Sequence, residues 1–242
     1  MRTASMTHVG RVRKTNEDCV GAEEALGHLI VADGMGGHSG GEIASTLAAS
    51  TITGFLKERL KAEDAPEEVA QLMAEAVARA GEVIRLRAAE DSRLEDMGTT
   101  LVVAVCQGSQ IHLGHMGDSR AYLVADGSIR RLTRDHSLVN EMIESGELTP
   151  RRAHRHPLRN VVTRSLGGRG LARLDQQCVP WKAGDYLLLC SDGLTNMVED
   201  EGLLKAVLRS GGDLHPLCQK LVQMANAKGG RDNISVIVAQ QG

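Results

Sequence analysis

Apolar residues along the chain occur in short continuous runs and in longer segments with helical spacing. The first forty residues predict strands at 4–9, 18–23 and 26–32, and the third contains the apolar run Leu29–Ala32. Ser39 with Glu42 three residues later predicts a capping box at the start of a first helix. A second amphipathic helix begins near Pro66. We expect these two helices to cover one face of a sheet.

The remainder of the chain returns to strands and then ends with helices and a closing strand. The predicted strands are 99–106, 110–116, 120–124, 186–190 and 233–239, and the predicted helices are 138–145, 200–208 and 216–226. This order of strands, two helices, strands, two helices and a strand favours an α+β domain with mainly antiparallel sheets. It is less typical of a doubly wound α/β fold.

Composition narrows the possible classes of protein. The chain has 242 residues, only five prolines and 42% apolar residues, which predicts a single domain, 1–242, with a sizeable core. With 28 Lys and Arg against 31 Asp and Glu, the chain is not expected to bind nucleic acid through its phosphates. Its four aromatic residues are too few to form a platform on which bases stack. No apolar run reaches the length of a membrane helix, and the five cysteines form no Cys-x-x-Cys pair. We therefore expect a cytoplasmic protein with no membrane partner.

Acidic residues stand at the ends of several predicted strands. They are Glu17, Asp18, Asp33, Asp118, Asp192 and Asp232. A single Asp-Gly after a strand is often only a turn. Because the pattern recurs at four strand ends, and Glu17 and Asp18 precede another strand, the sequence predicts one shared acidic site.

A shared acidic site requires cations, because carboxylates at short range cannot all stay ionised without them. Mg²⁺ or Mn²⁺ fits best, since these ions prefer oxygen ligands. The sequence has neither the Cys and His spacing of a zinc site nor an EF-hand loop. Two such ions commonly activate a water for attack on a phosphate, and an Arg fork holds the phosphate oxygens. Arg13, close before Glu17, is the candidate for that contact.

Residues 132–165 differ from the rest of the chain because they are rich in Arg and His and poor in large apolar residues. We expect a surface excursion beside the acidic site rather than a separate domain. Asp135 and His136 in this stretch are candidate substrate contacts. His112 and His115 lie in a predicted strand, where packing or surface roles are expected.

Nine segments of the chain carry motifs of one known family. They are 10–18 (GRVRKTNED), 31–38 (VADGMGGH), 97–100 (MGTT), 117–120 (GDSR), 132–137 (LTRDHS), 156–160 (HPLRN), 163–167 (TRSLG), 191–196 (SDGLTN) and 230–235 (GRDNIS). In this order they resemble the metal-dependent Ser/Thr protein phosphatases, the PP2C-like or PPM family, in its compact bacterial form. The resemblance spans nearly the whole chain.

The resemblance implies a fold and a metal site. The fold would be a four-layer α/β/β/α sandwich with two mainly antiparallel sheets flanked by helix pairs, and residues 132–165 would form a flap beside the active site. Asp33 would bridge two Mn²⁺ or Mg²⁺ ions, and Gly34 would offer its backbone carbonyl. Asp192 and Asp232 would complete the ligands of one ion.

The remaining acidic residues receive roles from the same resemblance. Glu17 would reach the other ion through water, Asp18 would orient that water shell, and Asp118 would hold a third, weaker ion. Arg13 would bind the substrate phosphate. The implied reaction is direct hydrolysis of phosphoserine and phosphothreonine by a metal-activated water, with no phosphoenzyme.

The sequence departs from the family at one position. Met35 follows Asp33-Gly34 where eukaryotic members carry a His. The proton for the leaving alkoxide could therefore come from His38 or from a metal-bound water, and both remain open.

The predicted function is thus a Ser/Thr protein phosphatase that opposes a bacterial Ser/Thr kinase and acts as a monomer on phosphorylated proteins. One alternative is a sporulation-type phosphatase that acts on a dedicated regulator. Another is a non-catalytic relative that only binds phosphoproteins.

Overall fold

The computed structural model describes residues 1–37, 39–153, 156–168 and 173–242. The strands are β1 (Arg2–His8), β2 (Asp18–Glu23), β3 (His28–Met35), β4 (Gly98–Thr99), β5 (Leu101–Gln107), β6 (Gln110–Met116), β7 (Arg120–Ala125), β8 (Ser128–Arg131), β9 (Asp175–Pro180), β10 (Tyr186–Cys190) and β11 (Ile234–Gln240). The helices are α1 (Gly40–Arg59), α2 (Pro66–Ala89), α3 (Leu138–Glu144), α4 (Pro150–Ala153), α5 (Asp192–Thr195), α6 (Asp200–Leu208) and α7 (Leu214–Ala227). In this part of the chain no helix has the length and apolar character needed to cross a membrane.

The strands form two antiparallel sheets. The first sheet has the order β1-β11-β10-β7-β8, and the second has the order β2-β3-β5-β6-β9 with β4 paired to β3. The first strand of the chain therefore pairs with the last, and its register runs from Arg2 opposite Gln240 to His8 opposite Ile234. This pairing brings the segment after β1 next to the segment before β11.

The apolar run in β3 shows how the layers are built. Leu29 and Val31 face the other sheet, whereas Ile30 faces the layer formed by α1 and α2. Successive side chains of a strand point to opposite faces, so a strand covered on both faces is apolar at every position. The uninterrupted run 29–32 therefore reflects burial on both sides.

The packing gives four layers. Helices α1 and α2 cover the outer face of the second sheet, and α6 and α7 cover the outer face of the first. The inner faces of the two sheets pack directly on each other. The predicted α+β sandwich of two mainly antiparallel sheets flanked by helix pairs is confirmed.

Several details differ from the sequence-based expectations. The capping box at Ser39 is wrong, because its side chain makes no capping hydrogen bond and its φ and ψ of −104° and 16° lie outside the extended N-cap conformation. Helix α2 does begin at Pro66, with the Glu68 carboxylate accepting a hydrogen bond from the Ala65 N–H at 2.8 Å. Strands β8 and β9 were not predicted. They are short and largely polar, so they lack a continuous apolar run.

Candidate active site

Asp18 and Asp33 lie directly opposite each other on β2 and β3. Asp33 shares the face of Leu29 and Val31, which is the face that packs against the first sheet. The strand β3 continues to Met35, so Asp33 and Gly34 belong to the strand and do not form a turn after it. The two carboxyl groups therefore stand at one end of the layer between the sheets.

Elements of both sheets bring three more carboxylates to the same end. Asp192 is the first residue of α5, one residue after the end of β10, and Asp232 lies just before β11. Asp118 follows β6 through Gly117. Electrostatic repulsion from Asp118, Asp192 and Asp232 acts on Asp33, which requires the four side chains to lie close together. The structure places these strand-end carboxylates at the same end of the fold, and Asp118, Asp192 and Asp232 line one cleft there.

Burial and mutual repulsion raise the pKa values of the cluster. Burial, followed by repulsion from neighbouring carboxylates, holds the pKa values of Asp33 and Asp192 well above their usual range. Burial raises the pKa of Asp18 to about 6, and hydrogen bonds moderate that rise. Burial together with repulsion from Asp135 raises the pKa of Asp118 to about 6. Without a bound cation, these carboxyl groups therefore keep their protons to a higher pH than ordinary Asp side chains do.

One oxygen in this cluster has no donor. Oδ2 of Asp18 accepts a 2.8 Å hydrogen bond from the Ser191 hydroxyl, but Oδ1 is buried and has no hydrogen-bond partner. An unpartnered buried oxygen is costly unless a hydrogen-bond donor or a cation satisfies it. The oxygen-rich surroundings fit a hard divalent cation such as Mg²⁺ or Mn²⁺. The residues present therefore suit the metal site implied by the sequence.

Glu17 is fixed at the edge of the cluster by neighbours on three elements. Its backbone N–H donates to Oδ1 of Asn233 at 2.8 Å, and its carbonyl accepts from the Ser45 hydroxyl at 2.6 Å and from the Gly34 N–H at 3.1 Å. Burial raises the pKa of its carboxyl group, against the opposing effect of Arg13. Glu17 thus reaches the site from the loop between β1 and β2.

Glycines allow α1 to approach this edge closely. A Cβ on Gly34 would lie 2.0 Å from the carbonyl oxygen of Gly41 and 2.6 Å from that of Glu17. A Cβ on Gly41 would lie 2.9 Å from the carboxyl carbon of Glu17. Such contacts are too short for any side chain. Gly34 is therefore required for the packing of β3 against the first turn of α1.

Arg13 reaches the cluster from the same loop as Glu17. Its Nη2 lies 2.9 Å from Oδ2 of Asp232, and about half of its side chain is exposed. The guanidinium therefore stands beside the carboxylates while part of it faces solvent. This is the placement expected for a group that meets an incoming phosphate.

Several polar residues that support the site were not singled out from the sequence. Asn233 donates from Nδ2 to the carbonyls of Val9 and Thr15, at 3.0 and 2.9 Å, and so holds the loop that carries Arg13 and Glu17. The hydroxyl of Thr100 accepts from the Asp33 N–H at 3.1 Å and contacts the Ser119 hydroxyl at 2.8 Å. Their position in the sequence could have indicated them, because Ser119 and Asn233 directly follow the predicted site residues Asp118 and Asp232.

His136 is buried and so does not contact the substrate, whereas Asp135 is partly exposed and stays a predicted substrate contact. His136 is only 5% exposed, and Asp135 forms a two-point ion pair with Arg120 at 2.7 and 2.9 Å. Some arginines of residues 132–165 are likewise neutralised by ion pairs within the protein, since Arg134 pairs with Glu144 and Arg164 pairs with Asp175. His112 and His115 are also buried, as expected for packing residues.

A cleft of about 800 Å³ connects the acidic cluster with residues 132–165. Asp118, Asp192 and Asp232 line one side, and Arg159 and Asn160 line another. Its size lies within the range of small-molecule and peptide-side-chain sites. His38, the candidate proton donor, lies outside the described residues.

The sequence profile of the protein phosphatase 2C family matches residues 11–237. The chain belongs to the protein phosphatase 2C family. The serine/threonine phosphatase stp of Listeria monocytogenes is 38% identical over 244 residues, which cover 100% of this chain and 96% of that protein. The chain is therefore a serine/threonine phosphatase of the 2C type, and the two alternative functions considered from the sequence are disfavoured.

Solved structures agree with this family membership. The crystal structure of the Mycobacterium tuberculosis serine/threonine phosphatase PstP/Ppp has a TM-score of 0.89 at 35% identity, with 99% of this chain and 97% of that chain covered. The catalytic domain of PstP in complex with two manganese ions has a TM-score of 0.86 at 33% identity, with 99% and 97% covered. The fold of this 2C phosphatase is thus shared along almost its entire length.

Proposed function

We propose that this 2C phosphatase hydrolyses phosphoserine and phosphothreonine in proteins at the acidic cluster, with Mn²⁺ or Mg²⁺ bound there. The observation that carries the proposal is the convergence of carboxylates from both sheets around the unpartnered Oδ1 of Asp18. A set of buried carboxylates with raised pKa values is stable in its ionised form only when cations neutralise it. The manganese ions in the PstP structure support the same ion type.

The ligand set would be the one that the family resemblance implies for these residues. Asp33 would bridge two ions, and Gly34 would offer its backbone carbonyl. Asp192 and Asp232 would complete the ligands of one ion, and Glu17 would reach the other through water. Asp18 lies beside Asp33 and would orient the surrounding water, and Asp118 would hold a third ion. The bound ions supply Lewis acidity and a water of lowered pKa at the phosphorus.

The chain's own residues would then bind the substrate and control its orientation. Arg13, whose guanidinium is half exposed beside Asp232, would hold the phosphoryl oxygens with its planar fork. Residues 132–165 would form the flap of the active site and contact the protein around the phosphorylated residue, with Arg159 and Asn160 on the wall of the cleft. His38 or a water would protonate the leaving alkoxide.

The substrates would be proteins phosphorylated by a bacterial Ser/Thr kinase, and the phosphatase would act as a monomer. The similarity to stp of Listeria monocytogenes and to PstP/Ppp of Mycobacterium tuberculosis, both named serine/threonine phosphatases, supports this substrate class. A cleft open to the surface beside the carboxylates is consistent with a phosphorylated side chain that enters from a large partner.

Neutral variants of the cluster test the proposal. Asp33→Asn and Asp192→Asn should lower the hydrolysis of an aryl phosphate and of a phosphothreonine peptide, at saturating Mn²⁺, by at least about 100-fold, because each ligand supports several kcal/mol of transition-state stabilisation. The matched control is Asp126→Asn, an exposed turn residue paired with Lys182. This control should retain wild-type activity.

A stability readout separates loss of metal from loss of fold. Without metal, the two cluster variants should be at least as stable as the wild type, because an amide removes one repelling charge. With Mn²⁺ they should gain less thermal stability than the wild type. Full activity in Asp33→Asn or Asp192→Asn would overturn the proposal.

A further inference from the structure

We propose that His136 is a positioning residue that holds Gly117, and through it Asp118, in place at the acidic cluster. The inference rests on the proposed function, in which Asp118 binds a metal ion. His136 lies in the family motif LTRDHS, at the start of the flap residues 132–165. It is buried, so it acts through the backbone before Asp118 and not on the substrate.

His136 contacts both polar groups of the Gly117 backbone. The His136 N–H donates to the Gly117 carbonyl at 2.9 Å, and the Gly117 N–H donates to Nδ1 of the His136 ring at 3.1 Å. Gly117 has a φ of +103°, and a Cβ there would lie 2.6 Å from the Thr100 side chain. The backbone directly before Asp118 is thus held in a conformation that requires both glycine and His136.

The second ring nitrogen fixes the state of the imidazole. Because Nδ1 accepts from Gly117, the hydrogen of the neutral ring is on Nε2, and it donates to Oδ2 of Asp175 at 3.0 Å. Nη1 of Arg164 lies 3.2 Å from the other oxygen of Asp175. The carboxylate of Asp175 therefore orients the ring that holds Gly117.

Neighbours of His136 hold the same turn from its other side. Asp135 forms the two-point ion pair with Arg120, two residues after Asp118. The carbonyl of His136 also accepts from the Thr163 N–H at 2.9 Å, where the two ends of the flap residues pair. One residue thus connects the base of the flap with the backbone next to Asp118.

His115, His136 and Asp175 place three possible ligand atoms within 4.8 Å of one another, but their geometry does not suit a metal ion. The two imidazole rings are stacked at 4.8 Å with only 13° between their planes, so their in-plane nitrogen lone pairs lie in two nearly parallel planes and do not converge on one point. Nε2 of His115 is also engaged with the backbone of Arg134. The cluster is a hydrogen-bonded support.

Two matched substitutions of His136 separate its two contacts. In His136→Asn, the Oδ1 of the new side chain takes the place of the ring Nδ1 and still accepts a hydrogen bond from the Gly117 N–H. The Asn side chain is too short to reach Asp175. The longer His136→Gln reaches Asp175 with its amide and leaves the Gly117 N–H without its acceptor. We expect His136→Gln to weaken Mn²⁺ binding at the weakest site by about 10-fold or more, measured by titration calorimetry, since outer-shell partners typically contribute 10–100-fold.

The expected result is therefore a difference between the two variants. His136→Asn should stay within about 3-fold of the wild type at the weakest site, and the tighter sites should change little in either variant. The kcat of His136→Gln should fall at subsaturating Mn²⁺ and recover at high Mn²⁺, with KM for the substrate nearly unchanged. A purely structural role would lower the thermal stability of both variants and would not be corrected by added metal.

The wild-type protein offers a test that does not depend on the folding of a variant. The ¹⁵N chemical shifts of His136 should report hydrogen on Nε2 and a free acceptor at Nδ1. They should move together with the Gly117 amide resonance as Mg²⁺ fills the weakest site. Hydrogen on Nδ1 would overturn the proposal, because that nitrogen could not accept from Gly117.

Asp118→Asn distinguishes failure of the inference from failure of the proposed function. If Asp118→Asn weakens the weakest site and His136→Gln does not, the role of His136 is wrong and the function of the cluster stands. If both His136 variants weaken that site equally, the bond to Gly117 is not the contact that matters. If Asp118→Asn changes no site, the ligand role of Asp118 fails and the role of His136 fails with it.

Discussion

The hydroxyl of Ser191 donates a 2.8 Å hydrogen bond to Oδ2 of Asp18 and so joins the two sheets beside the acidic cluster. Ser191 follows β10 of the first sheet, and Asp18 begins β2 of the second. The same hydroxyl oxygen accepts from the Ser235 N–H at 3.0 Å. Ser191 therefore links the two sheets and also stabilises the ionised form of the Asp18 carboxylate.

Replacement of Ser191 should affect stability and metal binding together. Ser191→Ala leaves the Ser235 N–H without an acceptor and removes the donor to Asp18, so we expect a loss of about 1–3 kcal/mol in the free energy of unfolding. Because the hydrogen bond lowers the pKa of Asp18, its loss should raise that pKa and shift Mn²⁺ binding to higher pH. Urea unfolding in EDTA and Mn²⁺ titrations at two pH values measure these effects.

Ser50→Ala is the matched control for that substitution. Ser50 is exposed and bonds only to carbonyls of its own helix, α1. Ser50→Ala should leave both the free energy of unfolding and the pH dependence of Mn²⁺ binding near their wild-type values. An unchanged pH dependence of Mn²⁺ binding in Ser191→Ala would show that Ser191 does not set the charge of Asp18.

The metal-free protein should become less stable as the pH rises from about 4 to about 6, by up to about 1.4 kcal/mol per pH unit for each group with a raised pKa. Asp18 and Asp118 have pKa values of about 6 when folded, above those of an unfolded chain. The folded state therefore binds more protons in this window, and its stability falls as they are lost. Bound cations should reverse this effect.

Thermal unfolding with and without Mn²⁺ checks the pH prediction. The rise in Tm on adding Mn²⁺ should be larger at about pH 7.5 than at about pH 5, because protons compete with the metal for the carboxylates. A series in NaCl of equal ionic strength controls for charge screening. An equal rise in Tm at both pH values would contradict the titration of this cluster.

Replacement of Gly34 should disturb the contact between β3 and α1. In Gly34→Ala the new Cβ would lie 2.0 Å from the Gly41 carbonyl oxygen, so the first turn of α1 must move. We expect a loss of several kcal/mol in stability, on the order of the larger point-mutant effects, and weaker Mn²⁺ binding. Chemical denaturation and calorimetry measure both.

Gly54→Ala is the control for the glycine substitution. Gly54 lies in the same helix and is exposed, and a Cβ there would meet no atom within 4 Å beyond its chain neighbours and the backbone of its own helix. This variant should be more stable than the wild type by about 0.5–1 kcal/mol, because Ala favours the helix. If both variants lost stability equally, close packing at Gly34 would not be the cause.

Arg13 should affect substrate binding more than metal binding. Arg13→Ala should lower kcat/KM for a phosphothreonine peptide by about 10–100-fold, since a charge-assisted contact contributes about 1.5–3 kcal/mol. Arg13→Lys should recover only part of this loss, because Lys has no planar fork. Steady-state kinetics at saturating Mn²⁺ measure the effect.

The metal affinity of the Arg13 variants tests the assigned role. Arg13 pairs with Asp232, so removal of its positive charge should leave Mn²⁺ binding unchanged or tighter. Arg87→Ala, which removes an exposed ion pair with Glu90 on α2, should change neither quantity. Weaker Mn²⁺ binding in Arg13→Ala with normal kinetics at saturating metal would contradict a phosphate-binding role.

The sequence determined the features that depend on neighbouring residues. The apolar run Leu29–Ala32 predicted a strand, Pro66 marked the start of α2, and the recurrence of Asp at strand ends predicted the acidic site. Family motifs then indicated the type of phosphatase. All these signals are local, because burial and backbone conformation are encoded by the periodicity and type of adjacent residues.

Only the tertiary structure decided which polar groups meet. Asp-Gly at 33–34 has the sequence of a turn, yet Gly34 lies within β3 because α1 packs against it. Ser191 bonds to Asp18 across 173 positions, and His136 bonds to Gly117 across 19. Such contacts depend on how two sheets stack and where a loop returns, and no local period of apolar residues records that geometry.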